Sequence, residues 1–175
     1  LLENGAESSK DSIKLVDNVK ATLNSMRVKY DSFDVNSGKE FDITKYHIIV
    51  ITFQNLEKIK TQIPAIMDWT SKGGRILFSI HPAPTDTFMS IYHNLGIVST
   101  DRNLIKVQGA EFVTDLFPGA KGLKLGLNHI NNTSFPVQLS GDARVHLISA
   151  DSFKTPLLWE YDNGQGRVVF INTDQ

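Results

Sequence analysis

The chain has 175 residues, enough for one domain and short for two. Hydrophobic residues make up 41 %, charged residues 21 %, and the net charge is −1 from 18 basic and 19 acidic side chains. A sizeable core is therefore expected; wholesale disorder, a phosphate-driven nucleic-acid binder and a polybasic membrane anchor are all disfavoured.

In chain order, residues 1–3 read as the end of a strand, followed by a turn at Asn4-Gly5-Ala6. Ser8 and Asp11 have capping-box spacing. Ile13, Val16, Val19, Leu23 and Met26 then recur every three or four residues, the stripe of an amphipathic helix of about five turns. Val28 to Phe33 alternates as a second strand. Tyr46 to Phe53 (YHIIVITF) is a continuous β-branched run, which predicts a strand covered on both faces, as in a parallel sheet. Asn55 to Lys72 is read as helical, with Pro64 opening a second segment and Gly73-Gly74 stopping it. Arg75 to Ile80 is the next buried strand, and Thr85 or Asp86 caps a helix carrying Phe88, Ile91, Tyr92 and Leu95.

From Leu104 to Phe170 the runs are short and strand-like, punctuated by Gly, Asn, Asp and Pro. Asp162-Asn163-Gly164 between PLLWEY and RVVFIN signals a hairpin. The expected fold is α/β: a flavodoxin-like, doubly wound, mostly parallel sheet with a β-rich C-terminal elaboration whose last strand rejoins the main sheet. Residues 1–175 are read as a single domain. The chain opens on Leu1-Leu2 without Met and stops on Asp174-Gln175 after a strand-like run, and is read as a piece of a longer protein.

The run Trp69-Thr70-Ser71-Lys72-Gly73-Gly74-Arg75-Ile76-Leu77-Phe78-Ser79-Ile80-His81 places a helix ending in Trp-x-x-x-Gly-Gly before a hydrophobic strand and a His. With the closing Pro156-Leu157-Leu158-Trp159 and Gly164-Gln165-Gly166-Arg167-Val168-Val169, it resembles the trehalose-utilisation-like branch of the class I glutamine amidotransferase-like superfamily. Related domains occur in bacterial extracellular polysaccharide proteins. The resemblance thus implies an extracellular or outward-facing, membrane-anchored location, with the cytoplasm left open. It implies as partner a glycan or an adjacent carbohydrate-active domain. Amidotransferases of this superfamily place a Cys nucleophile in the turn after the strand that Arg75 to Ile80 represents. Here the chain has no cysteine and the turn reads His81-Pro82-Ala83-Pro84, so glutaminase chemistry is excluded.

Ligands of doubly wound sheets sit outside the carboxyl ends of the strands, where the sequence places Glu3, Asn4, Asp34, Phe53, Gln54, His81, Asn172 and Asp174. Glu3, Asn4, Gln54, His81, Asn172 and Asp174 form the candidate cleft. His81 is its sharpest member: a general base, a metal ligand or a donor to a sugar, or else a strand-end His bonded to a neighbouring loop. Glu3 and Asp174 could pair with it, or simply cap strand ends. Phe53 with Gln54 could stack on and bond to a ring, and Trp159 with Tyr161 could present aromatics to a glycan, but core packing is the favoured reading of Phe53 and Trp159. Ser79 lacks the flanking glycines of a nucleophile elbow. His47, His93, His129 and His146 lack metal-ligand spacing, so neither a metal nor a cofactor is expected. The overlapping sequons at Asn131-Asn132-Thr133-Ser134 read as an exposed loop.

Three functions follow as expectations. The first is a non-catalytic module of an exported or surface protein that binds a glycan or a neighbouring domain. The second is a carbohydrate-acting enzyme using His81 with a carboxylate or metal. The third is a structural or oligomerisation domain, which an exposed apolar face on residues 104–150 would support.

Overall fold

The computed structural model of the chain describes residues 1–5, 10–38, 41–53, 56–79, 89, 95–101, 103–127 and 132–173. In chain order the elements are β1 (Leu2–Glu3), α1 (Lys10–Ser25), β2 (Phe33–Asp34), β3 (Ile48–Ile51), α2 (Ile63–Ser71), β4 (Arg75–Ser79), β5 (Ile97–Thr100) and β6 (Ile105–Lys106). There follow β7 (Gly109–Phe112), β8 (Lys124–Gly126), β9 (Thr133–Ser134), β10 (Val137–Leu139), β11 (Arg144–Ser149), β12 (Pro156–Asn163) and β13 (Gly166–Ile171).

Among the described residues, nine strands form one sheet in the order β2-β1-β3-β4-β13-β12-β11-β7-β8. The first five run parallel and the rest antiparallel. The mostly parallel core is therefore present, and the last strand does rejoin it beside β4. The β-rich elaboration continues the same sheet beyond β13. Two small antiparallel pairs, β5 with β10 and β6 with β9, stand outside it.

The predicted helices and strands hold in place and differ in extent. α1 ends at Ser25 because Arg27 takes a left-handed φ of 56° and Val28 N–H donates back to Leu23 O at 2.9 Å, a Schellman-type closure. Met26, expected on the buried stripe, falls past that end and is 66 % exposed. The second strand is not Val28 to Phe33 but Phe33–Asp34, since its partner β1 spans only Leu2–Glu3. The segment 55–72 splits into a 3₁₀ turn at Leu56–Ile59 and α2, with Pro64 in the first turn of α2 as expected. The helix predicted from Thr85 lies outside the described residues apart from Met89 and Leu95, of which Leu95 is fully buried.

The expectation that β3 is covered on both faces is corrected. Ile49 and Ile51 are buried, whereas Ile48 is 56 % exposed, so one face is sealed and the other partly open. The sealed face packs Ile76, Phe78, Val168, Phe170 and Trp159 against Leu56, Ile59, Ile63 and Ile66. Trp159 stacks on Phe170 at 4.8 Å and 11°, and Phe170 on Phe78 at 5.4 Å. The Trp159 indole N–H donates to Leu95 O at 2.9 Å, so the largest core side chain leaves no polar group unmet. A second, smaller core gathers Val107, Ala110 and Leu157 with Leu127 and Leu147.

At the amino end of the parallel strands, the turn Gly164-Gln165 of the β12–β13 hairpin locks onto the end of α2. Gln165 N–H donates to Ser71 O at 2.8 Å, Arg167 N–H to Gly74 O at 3.1 Å, and Asn163 Nδ2 to Met67 O at 3.0 Å. A Cβ at Gly166 would collide with the carbonyls of Thr70 and Gly74, and one at Gly74 would meet the Trp69 ring at 2.5 Å. The Trp-x-x-x-Gly-Gly and Gly-x-Gly-Arg-Val motifs are thus two halves of one interlock. Gly74, Gly164 and Gly166 are required by close approach and Gly73 by its φ of 115°, at the end of the sheet opposite the expected cleft.

Candidate functional site

The carboxyl ends of the parallel strands carry Glu3 and Asn4 (β1), Asp34 (β2), Thr52 and Phe53 (β3), Ser79 (β4) and Asn172 (β13). The chain steps from β1 to β2 in one direction and from β1 to β3 in the other. The topological switch point lies there, beside Asn4 and Phe53. Phe53 is core, as expected, at 1 % exposure. Gln54, His81 and Asp174 lie outside the described residues.

Glu3 is not a free carboxylate. Its Oε2 accepts from Lys20 Nζ at 2.8 Å and its Oε1 from Ser32 Oγ at 2.6 Å. Partial burial opposes its ionisation, but those bonds and the Lys20 charge outweigh it and hold the carboxyl below the usual range. Asp34 is similarly engaged. Asn36 N–H donates to its Oδ1 at 3.0 Å, Gly5 N–H at 3.1 Å and Asn36 Nδ2 at 2.9 Å, and these bonds lower its pKa. Asn36 Nδ2 also donates to Asn4 Oδ1 at 2.6 Å, closing a local net over the ends of β1 and β2.

Asn172 stands apart from that net. Three strand spacings separate β1 from β13, about 14 Å, so Asn4 and Asn172 do not share one contact shell. Asn172 is fully buried, and its Nδ2 donates to Phe135 O at 2.8 Å and Pro156 O at 3.0 Å. Both partners are carbonyls, which fixes the amide orientation and leaves Oδ1 a buried acceptor with no donor among the described residues.

A second polar constellation, which the sequence reading did not single out, crosses β11, β12 and β13. Arg144 donates from Nε to Glu160 at 2.7 Å and from both terminal nitrogens to Asp162 at 2.8 Å. Arg167 binds the same two carboxylates, at 2.9 Å to Glu160 and 3.2 Å to Asp162. Partial burial works against ionisation of Glu160, but the two guanidinium groups prevail and hold it low; the Arg144 bond does the same for Asp162. His146 has Nδ1 at 2.6 Å from Thr114 Oγ1 and Nε2 at 3.5 Å from Glu160. The signal was Arg144 and His146, then Glu160 and Asp162, then Arg167, alternating on one face of adjacent strands. A Glu clamped by two arginines is a poor proton acceptor, so this lattice fixes strand register.

Among the described residues, no group of three His, Cys, Asp or Glu side chains is set to hold a metal, and no helix is long and apolar enough to cross a membrane. Open concavities of about 400 Å³ and 250 Å³ lie beside Ser99–Asp101 with Pro136–Gln138, and beside Arg75 with Gly164–Arg167. The sequons are not an exposed loop: Asn132 and Ser134 are buried, Ser134 within β9.

The fold defines the class: a mixed α/β sheet shared with a ThuA-like protein, here in a chain without a cysteine. The chain belongs to the family described as an uncharacterised protein conserved in bacteria (DUF2194), whose profile matches residues 1–121. No curated protein matches it. Among solved structures, a ThuA-like protein from Bacteroides uniformis superposes with a TM-score of 0.67 at 11 % identity, covering 99 % of this chain and 80 % of that one. A cytoplasmic protein from Salmonella typhimurium gives 0.66 at 18 % identity, over 89 % and 74 %. A β-galactosidase from Bacillus circulans sp. alkalophilus gives 0.64 at 15 % identity; this chain covers 26 % of that enzyme and 98 % of itself is matched. The expected placement outside the cell does not stand, because two Salmonella typhimurium proteins that share this fold are cytoplasmic.

Proposed function

We propose that the chain is a non-catalytic, cytoplasmic ThuA-like module that holds a carbohydrate at the carboxyl ends of its parallel strands. One observation carries the reading: the described carboxylates there are already committed, Glu3 to Lys20 and Ser32, Asp34 to Gly5 and Asn36. A general acid or base must exchange its proton with substrate near neutral pH, and groups held low by fixed donors do so poorly. A neutral sugar asks only for hydrogen bonds there and not for proton exchange. The resemblance of the fold to part of a β-galactosidase makes galactosides the first ligands to try.

Calorimetric titration with galactosides should give binding without turnover, and Asn4→Ala should weaken it about tenfold. Hydrolysis of a nitrophenyl galactoside that disappears in His81→Ala would overturn the reading in favour of an enzyme. Saturable binding of a neighbouring domain, with no response to any sugar, would overturn the carbohydrate assignment.

A second reading has its own support. Leu104, Leu116, Phe117, Leu123 and Leu125 are all exposed in the β-rich half, apolar surface of the kind an oligomerisation domain presents.

A further inference from the structure

We infer that β8 is the seam of a two-fold symmetric dimer, pairing antiparallel with β8 of a second copy of this chain; the inference rests on the oligomerisation reading and names its surface. β8 closes the order of the nine-stranded sheet, with β7 on one side and, among the described residues, no strand on the other. Leu127 N–H donates to Gln108 O at 2.9 Å and Phe112 N–H to Leu123 O at 3.0 Å. Ladder alternation therefore turns the backbone groups of Leu123, Leu125 and Leu127 toward β7. Those of Lys124 and Gly126 face outward, a free row of donors and acceptors.

The side chains around that row are apolar. Leu116, Phe117, Leu123 and Leu125 are 42–49 % exposed within ten residues of sequence, and Phe117 leans edge-on against Phe112 at 5.4 Å. Leu125 pairs with Ala110 and so lies on the face of the smaller core, whose Val107, Ala110, Leu157 and Leu127 end at this edge. Among the described residues, no further strand covers that core on the side of β8.

The sequence Leu123-Lys124-Leu125-Gly126-Leu127 is complementary to itself. With a two-fold axis at Leu125, the outward-facing Lys124 of each copy meets Gly126 of the other, and the leucines of both copies form one stripe. A lone edge lysine ordinarily blocks such pairing. Here it meets a glycine with open space around its Cα, and it stands opposite Glu111 of its own chain, which balances its charge. Opposed Leu125 residues form a non-hydrogen-bonded pair with Cα atoms about 4.5 Å apart, within the span a disulfide bridges.

The absence of native cysteine makes the test clean. The wild-type chain should run as a dimer by light scattering. Leu125→Cys should give a cross-linked dimer under mild oxidation, whereas Phe153→Cys, 67 % exposed in the β11–β12 turn, should not. Gly126→Pro removes an outward N–H without touching the β7 ladder and should weaken dimerisation at least about tenfold. If Gly126→Pro fails to fold by circular dichroism, the two cysteine variants decide. A dimer that persists in folded Gly126→Pro, or equal cross-linking at both positions, overturns the β8 seam while leaving oligomerisation intact. A wild-type monomer overturns both, and open-ended assemblies contradict the closed two-fold.

Discussion

The parallel half of the molecule has one tightly sealed face, and the antiparallel half, among the described residues, ends at an open edge. Around β3, β4 and β13 the sealed face is filled by stacked Trp159, Phe170 and Phe78, roofed by α2 and pinned at its amino end by the Gly164–Arg167 interlock. Toward the other edge the core shrinks to Val107, Ala110 and Leu157, and among the described residues the sheet ends at a leucine-rich strand paired on one side only. Burial of a continuous apolar face stabilises the first region by itself, whereas the second leaves apolar surface that only another surface can cover. The difference separates what holds the fold from what meets a partner.

Four perturbations would sharpen or break that contrast, in falling order of effect. Trp159→Ala removes the centre of the closed core and orphans Leu95 O, and should cost about 4 kcal/mol in urea denaturation. Gly166→Ala drives a methyl into two backbone carbonyls at the interlock and should cost about 3 kcal/mol in the same measurement. Leu125→Ser, at the open edge, should change unfolding of the monomer by less than about 0.5 kcal/mol while weakening self-association, read by dilution in analytical ultracentrifugation. A large loss of monomer stability there would mean that the small core already extends over β8.

The smallest effect is in pH. Glu3, Asp34, Glu160 and Asp162 all have folded pKa values below the ordinary carboxylate range. Each therefore contributes stability that is fully present above the unfolded value of about 4 and lost as pH falls through the lower folded value. Thermal midpoints should be flat from neutral pH to about 5 and fall below about 4. In Glu3→Gln that acid limb should be shallower. A midpoint that rises on acidification would contradict the paired state of these groups.

The β/α alternation, the core roles of Phe53 and Trp159, the hairpin and the returning last strand were legible because each rests on local pattern: periodicity, a Gly-bearing turn, an apolar run. What failed depends on partners distant in sequence. Nothing in Val28 to Phe33 reveals that β1 spans only two residues, and an all-apolar run such as Ile48–Ile51 hides which face is open. The left-handed cap at Arg27, which strands Met26 in solvent, has no glycine to announce it. Asn132 and Ser134 look like loop residues until the β6–β9 pairing buries them. For the site, Glu3, Asn4 and Asn172 do stand at strand ends, since a strand end is visible in sequence. Their separation is not, because the order β1-β3-β4-β13 is a tertiary fact. Gln54, His81 and Asp174 lie outside the described residues.

The central claim is that the strand-end carboxylates are structural. A carboxyl-detected NMR titration with Glu3 assigned tests it most directly. The account predicts that Glu3 ionises below the usual carboxylate range and that Lys20→Met moves it upward. A Glu3 that titrates near or above about pH 6, the range of a working general acid, would contradict it.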